Sequence, residues 1–334
     1  MGQVPRRASA VAELGVVRPI HIAMSSHKIH PVVIYPFSQP KSLAALAQLY
    51  EKLATLQTDP RFERPVTVVN NQTYYRSNSI QADPAITAAY NEAITNIVTP
   101  VSDVTHVWSV DTCAMWLRGL GDAFQKAQTK TAHHDIFWLV PGDFNYATTE
   151  GNAALAHIID IPVKVHNHHC QICIGEIEVP LNSAKQLIDT YGTYGLLYNW
   201  FPAEAQGIRK LTSKPRSEFF ALTYDILERA LIDSRWFAYE QSLMILLQNM
   251  AGQAPICRIM PVQLGGISDD ESTRSTLSAA MQQVERTERA LKLFWRDQAE
   301  REMRMDWHDE FRVLDAQSES IRTAAMVILR RLLK

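Results

Sequence analysis

A chain of 334 residues with 46% hydrophobic content is long enough to bury one large or two modest cores. A formal net charge of -2 and an isoelectric point near 6.6 exclude a chain-wide electrostatic drive toward nucleic acid or anionic membrane. Four unevenly spaced cysteines, Cys113, Cys170, Cys173 and Cys257, suit reduced thiols rather than a disulfide framework. No apolar run reaches the roughly 20 residues of a membrane span. Glu13, Arg18 and His21 interrupt any signal-peptide core after Arg6 and Arg7, so the expected location is cytoplasmic.

Residues 1 to 30 form an N-terminal arm in which Val16, Val17, Ile20 and Ile22 suggest a short strand. Val32 to Tyr35 is a β-branched run ended by Pro36, and Pro40-Lys41-Ser42 then opens a helix whose leucines (Leu43, Leu46, Leu49, Leu53, Leu56) recur at helical spacing. Val66 to Val69 is a second strand, followed by the polar turn Asn70-Asn71-Gln72-Thr73. Strand, helix, strand in this order requires a right-handed crossover and a parallel sheet, hence an α/β fold, doubly wound or close to it. A helix is expected over 84 to 98 and a strand over Val104 to Val110, ending at Asp111.

The stretch from Leu117 to Tyr146 organises the rest. It reads as a glycine turn (Gly119-Leu120-Gly121), a short helix from Asp122 to about Lys130, the apolar strand Ile136 to Val140, and a tight turn ending in Asp143. A buried parallel strand with an acid at its C-terminal end is where open α/β sheets place ligand chemistry.

Beyond it, a helix from Glu150 to Ile159, a strand from Ile172 to Val179 and a polar helix from Ser183 to Tyr191 are expected. A basic segment (Arg209, Lys210, Lys214, Arg216) reads as surface-built. Glu218 to Leu222 resumes a buried pattern, an apolar helix runs through Met250, and a last strand covers Ile256 to Val262. Leu277 to Lys334 reads as helical, with Val284, Ala290, Leu291, Phe294 and Trp295 on one face. His166 to Cys173 carries one half of a zinc-like spacing, but no second half follows, and structural zinc is not expected.

With these elements in order, the chain resembles the GT-A fold glycosyltransferases, in particular the large inverting family 2 group that includes dolichyl-phosphate mannose synthase. The resemblance covers about residues 30 to 275. It rests on Val32 to Pro36 with the leucine helix, Val66 to Val69 with Asn70-Asn71, Gly119-Leu120-Gly121, Asp135 to Asp143, Ser217 to Leu222, and Tyr239-Glu240. Three departures stand out: Pro36-Phe37-Ser38-Gln39 lacks the family's glutamate, Asn70-Asn71 replaces paired aspartates, and Asp143 is the one acid left of an Asp-X-Asp.

The resemblance implies a GT-A-like, Rossmann-like, mostly parallel sheet flanked by helices over 31 to 275, with a helical extension over 276 to 334. It also implies transfer of a hexosyl group from a nucleotide-sugar donor to an unidentified acceptor. Asp143 would hold a divalent metal, Mg or Mn, that neutralises the donor diphosphate. Pro36, Phe37, Ser38, Asn70, Asn71, Arg118, Gly119, Gly121 and Arg216 would line the donor site, and Glu240, with Glu218 second, would act as base toward the acceptor hydroxyl. Each has a plainer reading: Asp143 as a turn aspartate, the arginines as solvated charges, Glu240 as a helix N-terminal charge favoured by the macrodipole. A catalytically silent protein that binds a nucleotide sugar or a protein partner is the alternative. No nucleic-acid partner is expected; the C-terminal helices suit homo-oligomerisation, and peripheral membrane contact stays open.

Overall fold

The computed structural model describes residues 27–35, 43–70, 88, 91–107, 118–125, 135–167, 170–179, 183–232, 240–251, 259–266 and 277–332. Seven strands make one sheet: β1 (Ile29–Tyr35), β2 (Val66–Asn70), β3 (Asp103–Val107), β4 (Ile136–Pro141), β5 (Ile172–Ile177), β6 (Phe220–Thr223) and β7 (Ile259–Gly265). Their order is β3-β2-β1-β4-β6-β5-β7. β6 pairs antiparallel with both β4 and β5, and every other pairing is parallel. The result is the mostly parallel α/β sheet, flanked by helices, that the strand–helix–strand order requires.

The burial pattern follows from position. β4 is buried at all six residues, so Ile136-Phe137-Trp138-Leu139-Val140-Pro141 is a continuous apolar run, as a strand covered on both faces must be. The edge strand β3 (Asp-Val-Thr-His-Val) has no buried residue. Alternate side chains feed two cores. Val32, Ile34, Val68, Phe137, Leu139, Ile174 and Leu222 face one side; Val33, Val69, Trp138, Val140, Cys173 and Ala221 face the other.

The second face is covered by α1 (Leu43–Leu56), whose Leu46, Leu49 and Leu53 are among the leucines expected at helical spacing, and by Ala154 and Leu155 of the helix Thr149–His157. The first face is covered by α2 (118–125), through Leu120, Ala123 and Phe124, and by helices from the C-terminal half. In chain order the later helices are α3 (Thr149–His157) and α4 (Asp160–His166), whose buried residues belong to the second face, followed by α5 (Tyr194–Trp200), α6 (Pro202–Leu211), α7 (Tyr224–Ile232), α8 (Gln241–Ala251), α9 (Leu277–Arg301) and α10 (Trp307–Leu332). Val284, Leu291 and Trp295 of α9 and Leu329 of α10 belong to the same core as the sheet.

Several local expectations change. Gly119 and Gly121 lie inside α2, not in a turn before it. A Cβ on Gly119 would come within 2.6 Å of Val68 and 2.8 Å of Val32; glycine is there because the helix backbone rests directly on β1 and β2. A further helix, not among those expected, holds Pro162 in its first turn, where proline is accommodated. The last strand covers Ile259–Gly265, and residues 256–258 of the expected strand lie outside the described residues. The C-terminal helical run breaks at 302–306, where Met303 adopts a φ of 52° and Arg304 lies 4.7 Å above the Trp295 ring. The expected helix over 84–98 has helical residues at 88 and 91–93 and then a π-helical turn, Ile94–Val98.

At the N-terminal edge of the sheet, His30 Nε2 and Asp135 Oδ2 lie 2.6 Å apart, both residues buried. The backbone N–H of Lys28 donates to Asp135 Oδ1 at 3.0 Å, and the His30 ring stacks on Phe137 at 5.1 Å. His30→Leu removes the side-chain partner of a buried carboxylate and should cost about 3 kcal/mol, read as a lower urea midpoint with unchanged m-value.

Candidate active site

The parallel strands β1, β2, β3 and β4 end on one edge of the sheet, with Tyr35 registered to Val69, Asn70 to Val107 and Ile34 to Pro141. The chain runs outward from β1 to β2 to β3, then returns to lay β4 on the other side of β1. The C-terminal ends of β1 and β4 therefore flank a topological switch point, where open α/β sheets form a crevice. At that point the Gly142 N–H donates to the Ile34 carbonyl at 2.6 Å, carrying the ladder one residue beyond β4. Asp143, half-buried, is the next residue.

The turn that holds Asp143 is clamped on both sides. The buried Tyr146 hydroxyl donates to the Pro141 carbonyl at 2.5 Å, and Thr148, the N-cap of α3, accepts from the Gly151 N–H at 3.0 Å. A Cβ on Gly151 would fall 1.9 Å from the Asn145 carbonyl oxygen. Only glycine lets α3 start this close to the turn, so Gly151→Ala should displace residues 142–146. The expected result is a lower urea midpoint with the far-UV circular dichroism unchanged.

Across the crevice stands the segment between α6 and β6. The Phe144 ring packs against Phe219 at 4.8 Å, and Lys185 Nζ lies 5.1 Å from the Phe144 centroid. That packing ties the residue after Asp143 to the residue after Glu218. The segment is itself held firmly: Glu176 accepts from the Thr212 hydroxyl, from the Ser213 N–H at 2.8 Å and from Gln263 Nε2 at 2.7 Å, while the Ser217 hydroxyl donates to Gly175 O at 2.5 Å. Lys214 is buried and its ammonium donates to Gln186. Burial lowers its pKa, with Asp189 opposing the shift.

Behind this segment runs a buried ionic chain. Arg216 donates to Asp189 at 2.9 Å and to Gln283 of α9 at 3.0 Å, and its guanidinium is 3.8 Å from Glu240. Arg286, also on α9, donates twice to Glu240 Oε1, at 3.0 and 2.8 Å. Burial alone would lower the Arg216 pKa, but Asp189 and Glu240 outweigh it and hold it above its ordinary value. Glu240 directly precedes α8 and has a φ of 43°, a conformation uncommon for a residue with a side chain. Asp189 lies in a π-helical turn, Ile188–Thr193.

Of the residues expected to form the site, Asp143, Glu218, Arg216 and Glu240 fall around the crevice or directly behind the wall of residues 212–219. Asn70 ends β2 on the same edge; its side chain, with Asn71, Pro36, Phe37 and Ser38, lies outside the described residues. Arg118 is exposed and paired with Asp122 at 3.2 Å. Gly121 has open space where a Cβ would be. The basic segment is not surface-built as a whole: Lys214 is buried, and Arg216 has only 7% of its side chain exposed, because carboxylates and amides supply their pairing. Asp189, Lys185, Gln186 and Arg286 were not anticipated. No local pattern marks them, since the contacts that bring Asp189, Gln186 and Arg286 to the site come from partners 27 or more residues away in sequence.

Among the described residues, no group of three or more His, Cys, Asp or Glu side chains is placed to hold a metal ion. Cys170 and Cys173 are buried; a hydrogen bond to Cys170, followed by burial, pushes the Cys173 thiol above its usual range. Among the described residues no helix is long and apolar enough to cross a membrane.

No protein-family model matches the chain, and no curated protein matches it. Solved structures do. Glucosyl-3-phosphoglycerate synthase from Mycobacterium tuberculosis, in complex with Mn2+, UDP and phosphoglyceric acid, is similar with a TM-score of 0.49 at 9% identity, covering 80% of each chain. A mycobacterial protein is similar with a TM-score of 0.45 at 10% identity, covering 80% of this chain and 76% of that one. The same synthase with Mn2+, UDP and glucosyl-3-phosphoglycerate gives a TM-score of 0.45 at 11% identity, covering 79% and 80%.

Proposed function

We propose that the chain is a metal-assisted glycosyltransferase that takes a sugar from a nucleotide donor bound at the C-terminal edge of β1, β2 and β4. The observation that carries this reading is the position of Asp143: one residue beyond the Gly142–Ile34 hydrogen bond, at the switch point between β1 and β4.

The single carboxylate suits the metal it is assigned. Hard divalent cations at phosphate sites commonly take one or two protein carboxylates and complete their shell with substrate phosphates and water, with no all-protein cage. Such an ion would supply charge neutralisation to the leaving diphosphate. The chain's own part is to hold the Asp143 oxygens in a turn fixed by Tyr146 and Gly151, and to present the donor sugar to the wall built from residues 212–219. On that wall Glu218 is a second candidate for accepting the acceptor's proton, while one oxygen of Glu240 takes both bonds from Arg286 and the other faces Arg216. Glu240 is assigned to holding the wall against α9.

A thermal-shift panel of nucleotide sugars with and without Mn²⁺ or Mg²⁺ tests the proposal. One donor should raise Tm in a metal-dependent way, by the linkage of ligand binding to the folded state. Stabilisation by no donor contradicts it. Stabilisation without turnover of donor in the presence of candidate acceptors favours the silent alternative, for which the engagement of Glu240 by two guanidiniums speaks.

A further inference from the structure

α10 is a 26-residue helix, about 39 Å long at 1.5 Å per residue. Its inner face is fully used. Ser318 accepts from Trp200 Nε1 at 2.7 Å and from Asn199 Nδ2 at 3.1 Å, Phe311 packs on Trp295 at 5.8 Å, and Ala325 and Leu329 are buried. The opposite face is different. Val313 and Val327 are 57% and 42% exposed, with exposed Ser320 midway between them and exposed Ala324 beside it. Five of the seven large apolar side chains exposed among the described residues lie between Met303 and Leu332. Two of the five, Val313 and Val327, lie on this outer face of α10, and uncovered apolar side chains lined up on one face suit a binding surface.

We infer that this face is a homodimer interface in which α10 packs antiparallel against α10 of a second copy, on a twofold axis passing at Ser320. The chain's own charge and apolar pattern selects this occupant. Val313 and Val327 stand symmetrically seven residues either side of Ser320, and Asp309 and Arg331 eleven residues either side. Seven and eleven residues are close to two and three helical turns, so all five positions lie on one stripe. In antiparallel register the twofold sets each Val313 opposite Val327 of the partner subunit and each Asp309 opposite Arg331 of the partner subunit. An isologous contact demands this kind of self-complementarity, and a parallel pairing would put like charges together at both ends. Asp309 is engaged within its own helix only by Arg312, at 3.2 Å with both side chains at least 80% exposed, a pair weak enough to exchange. This inference is independent of the proposed activity.

The test is sedimentation velocity on the full chain. The wild type should run at twice its 37.8 kDa monomer mass. Asp309→Arg and Arg331→Asp should each run as monomers, because each repeats one sign at both ends of the stripe. Mixing the two variants should restore a dimer, since every end then meets its opposite. Ser320→Arg, with two cations on the axis, should be monomeric. All these positions are exposed, so circular dichroism should match the wild type. A monomeric wild type, as expected if another part of the chain or a different protein covers the stripe, overturns the inference. So does a dimer that survives these substitutions, or a mixture that stays monomeric.

Discussion

Asp143→Ala should abolish metal-dependent donor binding while leaving the fold intact. The carboxylate is half-buried in a turn whose shape is held by neighbours, namely the Tyr146–Pro141 hydrogen bond and the Thr148 cap, and both survive the substitution. Charge stabilisation by a bound divalent ion is worth several kcal/mol, and at about 1.4 kcal/mol per decade its loss lowers affinity roughly a hundredfold or more. Isothermal titration of Mn²⁺ with a nucleoside diphosphate checks it. Urea denaturation of the same variant should stay close to wild type, which separates a lost ligand from a lost fold.

Arg216→Met should have the largest effect on stability. It leaves Asp189, itself buried, without its guanidinium and takes the second cation away from Glu240. Stranding a buried charge costs about 3–5 kcal/mol, a large part of a domain's total. The double variant Asp189→Leu/Arg216→Met removes both charges and should recover much of the loss, because the penalty comes from the unpaired partner. Glu240→Gln separates its two readings. If Glu240 anchors the wall, the variant loses stability and retains most of its turnover; if Glu240 is the base, turnover collapses while the denaturation midpoint barely moves.

What could be read from the sequence follows from the range of the interactions involved. The apolar run Ile136 to Pro141 announces a strand covered on both faces, and the leucines of α1 announce a helix with one buried side; both are local patterns set by local geometry. The turn position of Asp143 was legible for the same reason, as an acid following such a strand. The switch point that gives it meaning was not, since it depends on β4 returning beside β1 and on the four-residue β6 inserting antiparallel. Gly119 misleads because glycine signals a turn and a close helix–sheet approach equally well, and only the distances to Val32 and Val68 tell them apart. Arg216 and Lys214 misleads in the opposite sense: basic residues in a polar segment read as solvated until Asp189, Glu240 and Gln186 arrive from elsewhere in the chain. Glu240 reads as a base or as a helix N-terminal charge, and its ion pair appears only when α9 brings Arg286.

The most direct measurement of the central claim is anomalous diffraction at the manganese edge from crystals grown with Mn²⁺ and a nucleoside diphosphate. A manganese peak within coordination distance of an Asp143 oxygen, bridged to the diphosphate at the C-terminal ends of β1 and β4, is the result expected. Manganese or diphosphate bound elsewhere, with the Asp143 turn vacant, would contradict the assignment of this edge as the active site.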